Sequence, residues 1–105
     1  MSVLERDISK KWVEAHLASH QGDYAFRIHD CPWQAKPFDC FLLTDKVSWA
    51  IEFKVDRRKL FRYTIDELPT HQRRALLAFQ NGRSRRSKVV IYHMITETWH
   101  ELEVR

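Results

Sequence analysis

The chain has 105 residues, of which 44% are hydrophobic and 12% aromatic, and it carries a formal net charge of +4. This length suits one domain with a single hydrophobic core and is too short for two. The apolar content excludes a disordered or low-complexity chain, and no apolar run reaches the ~18 residues of a transmembrane helix. We therefore expect one globular domain over residues 1–105, without a membrane partner.

The first residues, Met-Ser-Val-Leu-Glu-Arg-Asp, lack the hydrophobic region of a signal peptide. We therefore expect a cytoplasmic, intracellular protein whose host or phage origin is open, with both cysteines reduced. The spacing of Cys31 and Cys40 matches no zinc-binding pattern. Cys40 is accordingly predicted to be a core residue and Cys31 a loop thiol.

The first third of the chain predicts one helix, one strand and a loop. Apolar residues recur at helical spacing from Leu4 to Ala15 and predict an amphipathic helix over residues 4 to about 19. Alternating polarity predicts a strand over residues 23–29. Residues 30–37 contain two prolines and predict a loop.

Residues 38–43 and 47–55 are two apolar runs rich in aromatic and β-branched side chains. A polar segment separates them, so the pair predicts a β-hairpin. If Asp45 and Lys46 form its two-residue turn, Asp39 lies directly opposite Glu52. Their Cα atoms would then be roughly 4.5–5.5 Å apart.

Alternation along this hairpin predicts one charged and one apolar face. The charged face carries Asp39, Glu52 and Lys54. The other face is expected to be uninterrupted core and consists of Phe38, Cys40, Leu42, Val47, Trp49, Ile51 and Phe53.

Two carboxylates facing each other across a ladder repel and would destabilise a plain hairpin. A bound cation removes this conflict, and paired carboxylates with the backbone carbonyl of Phe53 suit Mg²⁺ or Mn²⁺. Lys54 would then point at whatever the metal holds. The alternative interpretation is an ion pair of Lys54 with either acid on a solvated face, with the turn shifted by one residue.

The second half of the chain predicts a helix and two strands. A helix is expected from Thr70, its N-cap, to about Asn81, with a stop at Gly82. An arginine-rich loop is predicted at residues 84–87, a buried strand at 88–95 and an edge strand at 98–104. The order α-β-β-β-α-β-β predicts an α/β fold, with a mixed sheet flanked by helices.

Three further polar residues are candidates for the same site. Glu5 and Glu14 lie about 180° apart around the first helix, and Glu5 borders its apolar stripe, so Glu5 is the better third acid. Gln72 shares a stripe with apolar residues and therefore needs polar partners. It would either bind a catalytic water or an acid, or cap the preceding loop.

Residues 57–88 hold ten Lys or Arg and only two acids, a net charge of +8, whereas the other residues carry −4. This asymmetry predicts a surface that binds nucleic acid, with Phe61 and Tyr63 contacting sugar or base faces. The candidate phosphate-binding residues are Arg57, Arg58, Lys59, Arg62, Arg73, Arg74, Arg83, Arg85 and Arg86.

Pro37-Phe38-Asp39 and, after twelve intervening residues, Glu52-Phe53-Lys54 resemble the signature of the PD-(D/E)XK nuclease superfamily. Leu4-Glu5-Arg6-Asp7-Ile8, residues 27–30 and Leu68-Pro69-Thr70-His71-Gln72 are similar to its RecU-type branch, with phage relatives and, more distantly, archaeal Holliday junction resolvases. Pro37 does not directly precede Asp39, and the chain is shorter than RecU-type enzymes.

The resemblance implies a restriction-endonuclease-like fold in which Asp39, Glu52 and the Phe53 carbonyl hold Mg²⁺. It implies that Lys54 acts on the attacking water and the scissile phosphate, while Glu5 and Gln72 support the site. A metal also suits in-line attack of water on a phosphodiester, because it stabilises the developing charge.

The expected function is a Mg²⁺-dependent, structure-specific DNA endonuclease, a Holliday junction resolvase acting as a homodimer. A twofold-symmetric dimer supplies the two cuts that a four-way junction needs. The alternatives are a nuclease of the same fold acting on flaps, forks or duplex DNA, and a non-catalytic nucleic-acid-binding module. The chain has no glycine-rich phosphate loop, so no nucleotide cofactor is expected.

Overall fold

The computed structural model describes residues 3–29 and 36–105. Within them the chain forms two α-helices, a short 3₁₀-helix and five strands. In chain order these are α1 (Val3–Ser19), β1 (Tyr24–Arg27), β2 (Cys40–Leu43), β3 (Ser48–Asp56), the 3₁₀-helix (Ile65–Glu67), α2 (Thr70–Phe79), β4 (Arg85–His93) and β5 (Thr98–Glu103).

The five strands form one mixed sheet in the order β1-β2-β3-β4-β5. Neighbouring strands are antiparallel except for β3 and β4, which run parallel along nine paired residues. A parallel pair needs a crossover connection, and the segment that contains α2 supplies it. The predicted element order and α/β class are confirmed, and β5 is an edge strand as expected.

The predicted register of the β2–β3 hairpin is also confirmed. Cys40 pairs with Ile51 and Leu43 with Ser48, which requires Asp45 and Lys46 to be the two turn residues. Thr44 reinforces the turn, because its side-chain oxygen accepts a hydrogen bond from the backbone N–H of Val47 at 3.0 Å. The one-residue shift in the alternative interpretation is therefore excluded.

Each face of the sheet is covered by one helix and its own apolar cluster. Towards α1 the cluster consists of Val13, Cys40, Leu42, Ile51, Phe53 and Val90. Towards α2 it consists of Phe38, Ala50, Leu68, Leu76, Val89, Ile91 and Val104. Burying both faces explains why the central strands read as continuous apolar runs. Cys40 is a fully buried core residue, as predicted.

Two predicted boundaries in the second half are wrong. Arg85, Arg86 and Ser87 are not in a loop, because they pair in parallel with the start of β3 and extend β4 towards the N-terminus. Thr70 is not the N-cap of α2 but lies within its first turn; Pro69 holds the cap position without a side-chain hydrogen bond. For residues 85–87, pairing with a distant strand overrides residue preference, whereas the one-residue shift at Thr70 is within the usual variation of a helix end.

The predictions of a loop at residues 30–37 and of a loop thiol at Cys31 fall largely on residues 30–35, which lie outside the described residues. Neither α1 nor α2 has the length and apolar character that crossing a bilayer requires.

An ion pair between a buried carboxylate and a partly exposed arginine fixes the chain where β3 ends. Asp56 has a side chain that is 1% exposed and accepts hydrogen bonds from the guanidinium of Arg58 at 2.9 and 3.0 Å. The backbone N–H groups of Arg58 and Arg62 donate to the same carboxylate. His93 holds the segment from the other side, with Nε2 2.7 Å from the Arg58 carbonyl oxygen. Residues 56–62 are thereby tied to the end of the sheet.

We expect Asp56→Asn to lower the free energy of unfolding by about 2–3 kcal/mol, the value of hydrogen bonds to a charged group. The hydrogen bonds from Arg58 hold the pKa of Asp56 well below its usual range. Its contribution is therefore complete above about pH 5 and is lost as the pH falls below about 4. Urea unfolding at pH 7 and pH 3 should show a smaller difference between variant and wild type at pH 3. The exposed Asp45→Asn serves as control, and an equal loss in both variants would contradict this role.

Candidate active site

Asp39 lies directly before β2 and is bound into the sheet by both backbone and side chain. Its N–H donates to the Ile51 carbonyl at 3.0 Å, and its own carbonyl accepts from the Ile28 N–H at 2.8 Å. Its Oδ2 accepts a hydrogen bond from the Phe53 N–H at 2.9 Å. The carboxylate therefore takes the place of a backbone acceptor, and the regular ladder ends here.

This irregularity corrects one predicted side-chain position. Strict alternation places Phe38 with Cys40 on the α1 face, but Phe38 packs in the α2 cluster, at 4.7 Å between ring centroids from Phe41. Because the ladder is interrupted at Asp39, alternation no longer extends to the residue before it. The predicted apolar face therefore begins at Cys40.

Glu52 lies in the middle of β3 with a residual exposure of 5%. The Asp39 carboxyl acts on it directly. Burial is the main cause that raises the pKa of Glu52 far above its usual range, and the neighbouring charge of Asp39 raises it further. The two acids thus adjoin each other, and the site favours additional positive charge.

Two lysines supply part of that charge. Lys54 lies two residues after Glu52 on β3, with Nζ 3.9 Å from Glu52 Oε1. Lys36 forms a closer ion pair, with Nζ 2.7 Å from Asp39 Oδ1, and its side chain is 15% exposed. The charge of Lys36 also acts on Glu52. Sequence reasoning missed Lys36, because a lysine before a strand carries no signal that separates it from a surface lysine.

The predicted ion pair of Lys54 with an acid therefore exists, but its solvated setting does not. Asp39 is 2% exposed and Glu52 is 5% exposed. Lys54 itself is only half-buried. Paired charges at a solvated surface contribute little and need no further explanation. Two carboxyls buried side by side are costly unless a cation or a retained proton offsets their charge.

The helix acids differ as the sequence predicts. Glu5 is half-buried, whereas Glu14 is exposed. Burial, followed by the charges of Glu67, Glu52 and Glu5, raises the pKa of Tyr63 to about 12. The charges of Glu5 and Glu52 therefore both act on Tyr63, although the two acids belong to different elements. Glu5 remains the better candidate for a third acid.

Three buried side-chain polar atoms lack a hydrogen-bond partner among the described residues, namely Arg27 Nε, Tyr63 Oη and Gln72 Oε1. For Gln72, this means that Oε1 does not cap the preceding loop through any residue in 3–29 or 36–105. Tyr63 and Phe61 do not present free rings to a ligand, because both pack against the α2 cluster. Phe61 also stacks on His100, with ring centroids 3.8 Å apart.

The predicted phosphate-binding residues fall into two classes. Four have intramolecular partners: Arg58 with Asp56 and Glu67, Arg73 with Asp66, Arg86 with Glu103, and Arg85 over the Phe79 ring. The other five are exposed and form no salt bridge within residues 3–29 and 36–105; they are Arg57, Lys59, Arg62, Arg74 and Arg83. No acid within the described residues neutralises the charges of this second class, and the same holds for exposed Arg85, whose contact is with an aromatic ring.

The sheet also separates these cations in space. Arg57 follows the last residue of β3, whereas Arg85 pairs with Ser48 at the opposite end of that strand. Glu52 lies four residues from either end of β3, about 13 Å at the rise of a strand. The basic segment is therefore not one continuous patch. Its two ends lie on opposite sides of the acidic pair.

The donor atoms suit a hard divalent cation. No group of three His, Cys, Asp or Glu side chains in the described part of the chain could hold a metal by itself. The side-chain ligands would be the oxygens of Asp39 and Glu52, with backbone oxygen and water completing the shell, as Mg²⁺ prefers. The Lys36 ammonium already places a positive charge at one of these oxygens. The residues present therefore fit such an ion.

We expect Glu52→Gln to raise the free energy of unfolding by more than about 1 kcal/mol in EDTA, the equivalent of one pKa unit. The folded state raises the pKa of Glu52, so ionisation destabilises it increasingly as the pH rises above about 4. The gain should accordingly grow between pH 5 and pH 8 in urea unfolding. Exposed Glu14→Gln is the matched control. A lower free energy of unfolding for Glu52→Gln than for wild type would show that ionisation of this carboxyl does not destabilise the fold.

No protein-family model matches the chain, and no curated protein matches its sequence. Among solved structures, the chain is similar to Hjc, a Holliday junction resolvase from the archaeal hyperthermophile Archaeoglobus fulgidus. The two chains are 18% identical, with a TM-score of 0.61 over 90% of this chain and 74% of that one. This protein therefore has the α/β fold of that resolvase, a mixed five-stranded sheet flanked by helices.

Proposed function

We propose that this protein is a metal-dependent DNA endonuclease that hydrolyses phosphodiester bonds. The observation that carries the proposal is the buried pair of Asp39 and Glu52, held beside two lysines at the centre of a sheet. Burying two carboxyls lowers the free energy of unfolding, so such a pair is not expected where it has no function. The shared fold with an archaeal resolvase supports the same conclusion.

In this proposal Asp39, Glu52 and the Phe53 carbonyl bind Mg²⁺ or Mn²⁺. The metal would stabilise negative charge on the phosphate and lower the pKa of a bound water. Phe53 N–H fixes the orientation of Asp39 by its hydrogen bond to Oδ2. Lys54, positioned on the same strand as Glu52, orients the attacking water and offsets charge on the scissile phosphate. Glu5 and Gln72 support the site from α1 and α2.

We further propose a Holliday junction as substrate and a homodimer as the active form. The Leu68-Pro69-Thr70-His71-Gln72 sequence favours the RecU-type branch. A twofold dimer presents two equivalent sites, which suits a junction with two strands to cut. The exposed cations on either side of the acidic pair would contact phosphates along the arms.

We expect the purified protein to cut a labelled four-way junction in Mg²⁺ and not in EDTA. Asp39→Ala and Lys54→Ala should reduce the rate roughly 10²–10³-fold or more, the scale of losing one group that stabilises the transition state. Glu5→Ala should also lose cleavage, whereas exposed Glu14→Ala should keep it. Cutting at the wild-type rate by Asp39→Ala or Lys54→Ala would rule out the assigned site.

Flap, fork and linear duplex substrates of the same sequence distinguish the proposed resolvase from a nuclease that cuts these other DNA structures. Preference for the junction, with symmetric cuts, supports a resolvase. Binding without cutting, whichever metal is added, would instead indicate a non-catalytic module. Size-exclusion chromatography at high protein concentration tests the dimer, and a monomer there would count against junction resolution.

We expect Lys59→Ala to weaken DNA binding and to reduce the slope of log K against log salt by about 0.9, the loss of one phosphate contact. Arg86→Ala is the comparison, because the guanidinium of Arg86 is already paired with Glu103 and lies over the Trp49 ring. Its slope should stay at the wild-type value in filter-binding or anisotropy titrations. Equal slopes for both variants would show that exposure does not select the DNA-binding cations.

A further inference from the structure

Lys36 occupies the part of the acidic pair that a metal would need. The two oxygens of Asp39 have different partners: Oδ2 accepts from the Phe53 N–H at 2.9 Å, and Oδ1 pairs with Lys36 Nζ at 2.7 Å. The Oδ2 contact belongs to the sheet and is retained as long as the strands pair. The oxygen most available for a divalent cation is therefore Oδ1, where the ammonium lies.

An ammonium and a divalent cation cannot both remain at Oδ1. Two like charges a few ångströms apart repel strongly, particularly where burial limits screening. Asp39 is 2% exposed, so water screens this position poorly. Binding of a divalent cation therefore requires the ammonium of Lys36 to leave Asp39.

Lys36 lies outside the sheet, whereas the backbone of Lys54 is part of it. Lys54 lies inside β3, between paired residues on both sides. Lys36 lies outside every strand, three residues before Asp39, and is followed by exposed Pro37. A lysine side chain is a flexible four-carbon stem with a compact charge at its end. Its ammonium can therefore be displaced without disturbing the sheet.

We propose that Lys36 alternates between two anions, Asp39 in the metal-free protein and the DNA phosphate backbone once a divalent cation is bound. This inference rests on the proposed function and adds a residue to it. In the first position Lys36 compensates the buried acids and competes with the metal. In the second it contributes a phosphate contact next to the site of hydrolysis.

Calorimetric titration of the protein with Mn²⁺, in the absence of DNA, tests the first position of Lys36. Lys36→Met should bind Mn²⁺ about three- to tenfold more tightly than wild type, because the competing cation is gone. Lys36→Arg and exposed Lys46→Met should keep the wild-type affinity. Lys36→Gln replaces Lys36→Met if the latter does not fold. An affinity of Lys36→Met equal to that of Lys46→Met would overturn the proposal.

Asp39→Asn separates this inference from the proposed function. If it abolishes Mn²⁺ binding while Lys36→Met binds like wild type, only the role of Lys36 is wrong. If Asp39→Asn binds Mn²⁺ as wild type does, the metal site itself is wrong and both proposals fail.

DNA affinity tests the second position. With Ca²⁺ as the divalent ion, Lys36→Met should reduce the slope of log K against log salt by about 0.9 relative to Lys46→Met. In EDTA the two variants should have the same slope, since Lys36 is then held by Asp39. An equal effect of Lys36→Met with and without Ca²⁺ would contradict the exchange of partners.

Discussion

The hydrogen bond from the Phe53 N–H to Asp39 Oδ2 is the contact on which the candidate site depends. It replaces one backbone bond of the β2–β3 ladder with a bond to a side chain. The buried N–H of Phe53 needs an acceptor, and the Asp39 carboxylate supplies it. Pairing of the two strands therefore fixes the orientation of this carboxylate. The same bond brings the Asp39 carboxyl beside Glu52, which is carried on the next strand. Strand pairing thus determines the distance between the two acids.

Placing two carboxyls together inside a domain is unfavourable, and the rest of the fold offsets this cost. Lys36 and Lys54 provide opposite charge at the site. The two apolar clusters bury the central strands on both faces. At the end of β3, Asp56 binds Arg58 and fixes the chain that leaves the sheet. The unfavourable burial of charge is therefore confined to the acidic pair, while the surrounding fold supplies the compensating contacts.

Features that depend on neighbouring residues were predicted correctly from the sequence, whereas features that depend on distant residues were not. The hairpin register was predictable, because a two-residue turn and the alternation of side chains are local. The start of β4 was not, because Arg85 and Arg86 adopt strand conformation only through pairing with β3. The position of Phe38 was missed for a related reason. Its direction depends on the side-chain bond of Asp39, which no periodic pattern encodes.

The charged residues show most clearly which features the sequence determines and which the tertiary structure decides. The sequence by itself determined the turn and the register of the β2–β3 hairpin, the proximity of Asp39 to Glu52, and the excess of basic residues after β3. The tertiary structure alone decided that Lys36 binds Asp39, that Arg58 is committed to Asp56, and that the basic segment is divided between both ends of the sheet. The reason is physical: local backbone geometry follows from neighbouring residues, whereas the partner of a long charged side chain depends on which distant segments the fold brings within its reach.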